Sequence, residues 1–240
     1  MALILRSTIF LLLVRSLPVG AQLAWDVKVG VSHSFARDPL GAGHVSHTGR
    51  SVDGMGFHVG VGAGYEGGAM VGCRAELLLD VRSCGYQLRP ADQPFMLDEN
   101  GDGFMQARRS MHLVSAELPV LLTLQHWPGL RIDGGMTLAR TLAARESVTG
   151  QLVGLDPALK ARRSADRVDA MAQWELALST GVEVDSGKRL HMGLRYLHGM
   201  TDLDRPGGGS PTYLRTWQLY LSYALRAHGS RTTAQDPSFP

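Results

Sequence analysis

Cysteine, charge and long apolar runs are all scarce in this 240-residue chain. The 2 cysteines are too few for a small domain stapled by several disulfides. Asp, Glu, Lys and Arg supply only 19% of the residues, against about 25% in ordinary domains. The formal net charge of +2 argues against a strongly basic nucleic-acid binder. Past the N-terminal residues no run of about 18 apolar residues occurs, which excludes a bundle of membrane helices. The chain has no G-x-S-x-G elbow, H-x-E motif or P-loop. The stretch Gly60-Val61-Gly62-Ala63-Gly64 alternates like a strand, with no helix after it to hold a phosphate. No catalytic residue and no cofactor site is therefore expected.

Glycine is abundant: 29 of 240 residues, where about 7% is ordinary. It has no collagen period, and proline numbers only 11, so low-complexity disorder is not the source. Apolar residues make up 44% of the chain and the mean hydropathy is -0.04. These values fit a chain in which every second residue is apolar.

Period-two alternation, the strand signature, recurs eight times. The first segment sets Trp25, Val27, Val29, Val31, His33 and Phe35 against Asp26, Lys28, Gly30, Ser32 and Ser34. The second sets Phe57, Val59, Val61, Ala63 and Tyr65 against His58, Gly60, Gly62, Gly64 and Glu66. The third opposes Val71, Cys73, Ala75, Leu77, Leu79 and Val81 to Gly72, Arg74, Glu76, Leu78, Asp80 and Arg82. The others run over Val114–Gln125, Leu130–Leu138, Ala172–Val184, Leu190–Tyr196 and Tyr213–Leu225. Tight turns are expected at Gly67–Ala69, Trp127–Gly129 and Asp185–Lys188. Long links are expected at Ala36–Met55, Leu88–Ser110, Glu146–Val168 and Met200–Thr212. Short and long links alternate strictly. That is the layout of an all-β, eight-stranded antiparallel up-and-down transmembrane β-barrel with short periplasmic turns and longer extracellular loops.

Alternation alone does not say which face is outside. A soluble lipocalin-like barrel is apolar inside, and a membrane barrel is the reverse. The polar face decides. It carries Gly30, Gly60, Gly62, Gly64, Gly72, Gly135, Gly181 and Gly193, whereas a water-facing strand surface would favour larger polar residues. A narrow eight-stranded interior has room for little more than side chains, so small residues beside a few ionic ones suit it. Arg74, Glu76, Asp80, Arg82, Glu117, Arg131, Asp133, Glu175 and Arg195 share this face. They are expected to form a paired interior network that fills the lumen, because buried charges persist only when paired. Trp25, Trp127 and Trp174 are candidates for interfacial girdles.

Residues 1–21 read as a cleavable secretory signal, with Arg6 in the n-region and Val19-Gly20-Ala21 at the cleavage site. Residues 22–225 read as one barrel domain and residues 226–240 as a flexible polar tail. Cys73 and Cys84 stand 11 positions apart in one extended segment, roughly 36 Å apart at about 3.3 Å per residue. A bridge needs less than about 7 Å, so the two thiols are expected not to be bridged.

The order of several short motifs resembles the PorT-like outer-membrane β-barrel family. They are Val27-Lys28-Val29-Gly30-Val31, Gly56-Phe57-His58-Val59-Gly60-Val61 with Ala75-Glu76-Leu77-Leu78, Ala116-Glu117-Leu118-Pro119-Val120-Leu121-Leu122, and Gly193-Leu194-Arg195-Tyr196 followed by Gly199 and Thr201-Asp202. The resemblance spans about Trp25 to Leu225. It implies an eight-stranded outer-membrane barrel with no catalytic residues, in a family some of whose members are associated with secretion machinery. Pro119 lies within a strand, where proline usually marks an edge or a bulge. A closed barrel has no edge, so a bulge is expected.

Three local patterns carry candidate chemistry. Asp98, Asn100 and Asp102, followed by Gly103, supply the first half of a calcium loop, but Arg109 stands where a bidentate Glu belongs. A plain polar turn is the favoured reading. His33, His44 and His47 lack cysteine or carboxylate partners at zinc spacing. Lys160, Arg162, Arg163 and Arg167 make the third long link basic, able to meet anionic lipopolysaccharide. Ser34, His33 and Asp38 lie close in sequence without a diagnostic spacing. The expected protein is a non-enzymatic, monomeric barrel of the cell outer membrane, structural, adhesive or accessory to an envelope or secretion complex. Its partners would be outer-membrane lipid and an envelope protein met through the long loops, not nucleic acid. The alternative is a soluble exported barrel holding a small apolar ligand.

Overall fold

The computed structural model describes residues 22–37, 50–66, 70–87, 96–97, 103–152, 160–166, 168, 172–187, 189–203 and 213–225. Residues 1–21, the tail 226–240 and Asp98, Asn100 and Asp102 fall outside them, so the signal, the tail and the calcium motif receive no structural description.

The described residues form ten strands: β1 Gln22–Arg37, β2 Arg50–Glu66, β3 Val71–Gln87, β4 Met96–Leu97, β5 Gly103–Trp127, β6 Leu130–Leu152, β7 Lys160–Asp166, β8 Trp174–Asp185, β9 Leu190–Gly199 and β10 Tyr213–Ala224. Eight of them close a barrel. All pairings are antiparallel and the order is β5-β3-β2-β1-β10-β9-β8-β6, with β6 returning to β5. Val29 faces Leu221 on one side and Val59 on the other, which fixes the seam between the first and last strands. The tight connection between β5 and β6 is made by Pro128 and Gly129. Gly129 sits at φ +76°, a conformation that glycine adopts without steric cost.

The two additional strands lie at the loop end. Among the described residues β4 pairs only with the start of β5, and β7 only with the end of β6. The expected links Leu88–Ser110 and Glu146–Val168 are therefore partly strand. β5 and β6 are 25 and 23 residues long and stand past the rest of the barrel as a wall.

A bulge explains why the alternation faded there. Val114 faces Ala143 and Ser115 faces Thr141, so Leu142 is the extra residue. Inward positions are odd before it (Asp133, Thr137, Ala139) and even after it (Ala144, Glu146, Val148). The β5–β6 ladder also shifts register between Met105 and Arg108 and between Leu124 and Trp127, and β2 shifts against β3 between Asp53 and Phe57. Pro119 does not mark a bulge. It faces Thr137 in an unshifted run with β6, and its ladder to β3 keeps register from Leu78↔Glu117 to Ala75↔Val120. The pairing is only interrupted opposite Glu76 and Leu77, because proline has no N–H to donate.

The outside of the barrel is apolar. Val29 is 56% exposed, Val120 55% and Leu122 67%, and large apolar side chains line the outward face of all eight staves. On β8 this face runs from Trp174 to Val184. The ten steps from one end to the other, at about 3.3 Å each and tilted by about 40°, give a band about 25 Å tall. Trp25 and Trp127 stand out near the turn end, and Trp174 and Trp217 near the loop end. Cys73 is exposed and Cys84 is buried, and neither is in a disulfide.

Candidate functional site

The inward face holds the polar chemistry, arranged in two groups. At the turn-end half, Glu76 is the centre. Arg195 grips it with two parallel bonds, Nη1 to Oε2 and Nη2 to Oε1, both 2.8 Å. Lys28 Nζ donates to Oε1 at 2.6 Å, and Arg74 Nε lies 3.1 Å from the same oxygen. Arg74 also pairs with Asp26 and donates to Glu183 at 2.9 Å. Arg131 stands 3.3 Å from Glu183 and 3.6 Å from Asp185, and His191 meets Asp185 at 2.6 Å. The Tyr220 ring lies between two cations, with Lys28 Nζ 3.8 Å and Arg195 Cζ 5.3 Å from its centre. Such contacts are worth most when desolvated.

The loop-end half is built the other way round. Arg82 is the centre, 2.8 Å from Asp80, 3.2 Å from Glu117 and 3.1 Å from Glu175. It also donates to Ser115 at 3.0 Å. Ser32 donates to Asp80 and Gln218 to Glu117, both at 3.3 Å. Above this group the same inward face turns apolar. Ala36, Cys84, Met111, Leu113, Ala144, Leu203 and Leu214 form a buried cluster at the loop-end mouth, with Val168 against it. Ala172 N–H bonds the Leu203 carbonyl at 2.9 Å and ties that segment down.

The glycines make this interior fit. A methyl group at Gly193 would run into the Tyr220 ring, and one at Gly30 would come within 2.6 Å of the His58 imidazole. A large side chain on one stave thus occupies the space left by a glycine on the next.

All nine ionic residues expected in the lumen are on its inward face, and eight of them pair. Asp133 is the exception: it is 1% exposed and neither carboxylate oxygen accepts a hydrogen bond among the described residues. Sequence reasoning singled out neither Lys28 nor Glu183 nor Tyr220, although each sits on the polar face of its segment. Parity was the available signal. Ser34 and His33 lie on opposite faces of β1. Ser34 points inward to Thr216 at 3.0 Å, His33 lies on the outward face 3.4 Å from Asp53, and Asp38 is outside the described residues. His44 and His47 are likewise outside them. No group of three or more metal-binding side chains occurs among the described residues.

Fold and lumen together define the class: a closed, eight-stranded, up-and-down β-barrel with an apolar exterior and an ion-paired interior. No family model matches the chain, and no curated protein matches it. The PorT-like resemblance therefore rests on the motifs quoted above. Several solved structures are similar. Ail, the attachment invasion locus protein of Yersinia pestis, is 11% identical over 84% of this chain and 97% of that one, with a TM-score of 0.42. The outer membrane protein OprG from Pseudomonas aeruginosa is 10% identical over 85% and 96%, with a TM-score of 0.41. Neisserial surface protein A is 14% identical over 86% and 98%, with a TM-score of 0.38. At these values the fold assignment stands on the strand register alone.

Proposed function

We propose that this chain is a non-enzymatic integral barrel of a Gram-negative outer membrane, sealed along its lumen and used for structure, adhesion or as an accessory to an envelope or secretion complex. One observation carries the reading: the barrel is inside-out, with valines and leucines exposed around its circumference and Lys28, Glu76, Arg82 and Arg195 at 2% exposure or less. Water would penalise that exterior, and hydrocarbon would not. Residues 1–21 serve as the export signal in this reading, residues 22–225 as the single barrel domain and residues 226–240 as its tail. In this reading the links at the loop end carry the contacts with partners. The soluble-carrier alternative requires an apolar cavity, and the interior described above is ionic.

Cell fractionation tests the proposal. The protein should resist extraction by salt and by alkaline carbonate, dissolve in detergent, and migrate differently on gels before and after boiling. Release by carbonate alone would overturn it. The filled lumen also predicts no conductance steps in planar bilayers.

A further inference from the structure

The wall above the apolar band carries side chains that barrel closure does not use. On its outward face, register aligns His112 with Arg145 and Asp166, then Ser110 with Ser147 and Ser164. Arg108 follows, opposite Thr149. His112, Arg145 and Arg108 are exposed. The serines are short, and an open recess of about 570 Å³ lies against His112, Arg145, Ser147 and Ser164. Arg145 Nε donates to Ser164 Oγ at 2.8 Å, a bond that does not use the two terminal nitrogens of the guanidinium. His112 Nδ1 and Ser83 Oγ share a hydrogen bond of 2.9 Å. Asp166 accepts the Val168 N–H at 3.2 Å.

The terminal guanidinium nitrogens of Arg145, the His112 imidazole and the Ser147 hydroxyl around one recess match the oxygens of a phosphate group, while the Ser164 hydroxyl donates to the Glu146 carbonyl at 3.1 Å. The height of the recess selects the source of that phosphate. Leu142 is 49% exposed on the outward face, and Arg145 follows three residues later, about 10 Å along the strand. Below them Arg140 lies over the Trp174 ring at 5.6 Å, at the loop-end border of the band. Acyl chains running along Leu118 and Leu142 would bring a headgroup to this level. A soluble anion would have no reason to meet a site placed at the edge of an apolar belt.

We propose that this recess binds the phosphate of an anionic lipid headgroup in the outer leaflet, with Arg145 as the principal contact and His112 and Arg108 flanking it. The inference rests on the outer-membrane reading above. The test uses the full-length protein in neutral detergent, titrated with diphosphoryl lipid A, with its dephosphorylated counterpart, and with a heparin-type sulfated glycan. Binding of the diphosphoryl form should fall about tenfold in Arg145→Glu and by less than about threefold in Arg145→Lys. The dephosphorylated lipid should bind at least about tenfold more weakly. Equal binding of both lipids, or no effect of Arg145→Glu, would overturn the proposal. So would tighter binding of the glycan than of the lipid, since that would make the recess a polyanion site. Heat-modifiable migration of each variant separates the two readings: loss of lipid binding with that migration intact sinks the recess and leaves the barrel standing.

Discussion

The two halves of the lumen solve one problem with opposite charges. In the turn-end half one carboxylate, Glu76, is held by three cations, Lys28, Arg74 and Arg195. In the loop-end half one cation, Arg82, is held by three carboxylates, Asp80, Glu117 and Glu175. The halves differ in redundancy. Arg74 keeps Asp26 and Glu183 if Glu76 is lost. The loop-end carboxylates have no second arginine or lysine within ion-pair distance among the described residues, and His58 stands 4.0 Å from Asp80. A network with a single cationic hub should be the more fragile of the two, because an orphaned buried charge costs more than the pair contributed.

The largest effect is therefore expected at Arg82. Arg82→Met should destabilise the barrel by about 3–5 kcal/mol, measured as the shift of the urea midpoint for unfolding in detergent or lipid. Adding Glu117→Gln to that variant should recover part of the loss, since one unpaired charge is removed. Glu76→Gln is expected to cost about 2–3 kcal/mol, because Lys28 and Arg195 lose their partner while Arg74 keeps two. If Glu76→Gln proved the more damaging, the hub argument would fail.

Much of this contrast was legible in the sequence as parity and little of it as pairing. Alternation assigned Arg74, Glu76, Asp80 and Arg82 to one face of β3, and the loop-length pattern returned an eight-stave barrel. The partners were not legible. Glu76 and Arg195 lie 119 positions apart, and only closure of the sheet determines which inward residues share a level. Periodicity failed where the backbone breaks it. The extra Leu142 inverts the face of β6, so its last residues read as a link, and β7, which pairs with that stretch, was hidden with it. Pro119 misled in the other direction: a missing N–H interrupts a ladder without adding a residue. The apolar plug escaped because the inward face changes character within one strand, from Arg82 to Cys84 on β3.

A smaller effect separates packing from charge. Tyr220 occupies the space that Gly193 leaves, between Lys28 and Arg195. Gly193→Val should push the ring out of that position and cost about 1–3 kcal/mol as overpacking, with a change in tyrosine near-UV circular dichroism. The corresponding glycine near the loop-end half, Gly56, would bring a methyl group to 2.6 Å from Ser32 Oγ and against the Val81 carbonyl. Its substitution should leave the tyrosine signal alone. A tyrosine change in both would mean that the halves are mechanically coupled.

The smallest expected effect falls on the residue between the halves. His58 is fully buried, with its ring centre 6.4 Å from that of Tyr220 in a T-shaped arrangement and no hydrogen bond at either ring nitrogen among the described residues. Asp80 stands 4.0 Å away, beyond hydrogen-bond reach. A buried polar group without partners contributes little beyond its shape, so an apolar residue of similar volume should replace it at almost no cost. His58→Leu should therefore change the unfolding midpoint by less than about 1 kcal/mol. A loss as large as that at Arg82 would mean that the imidazole is charged and acts as a second cation for Asp80, and the single-hub description of the loop-end half would then be wrong.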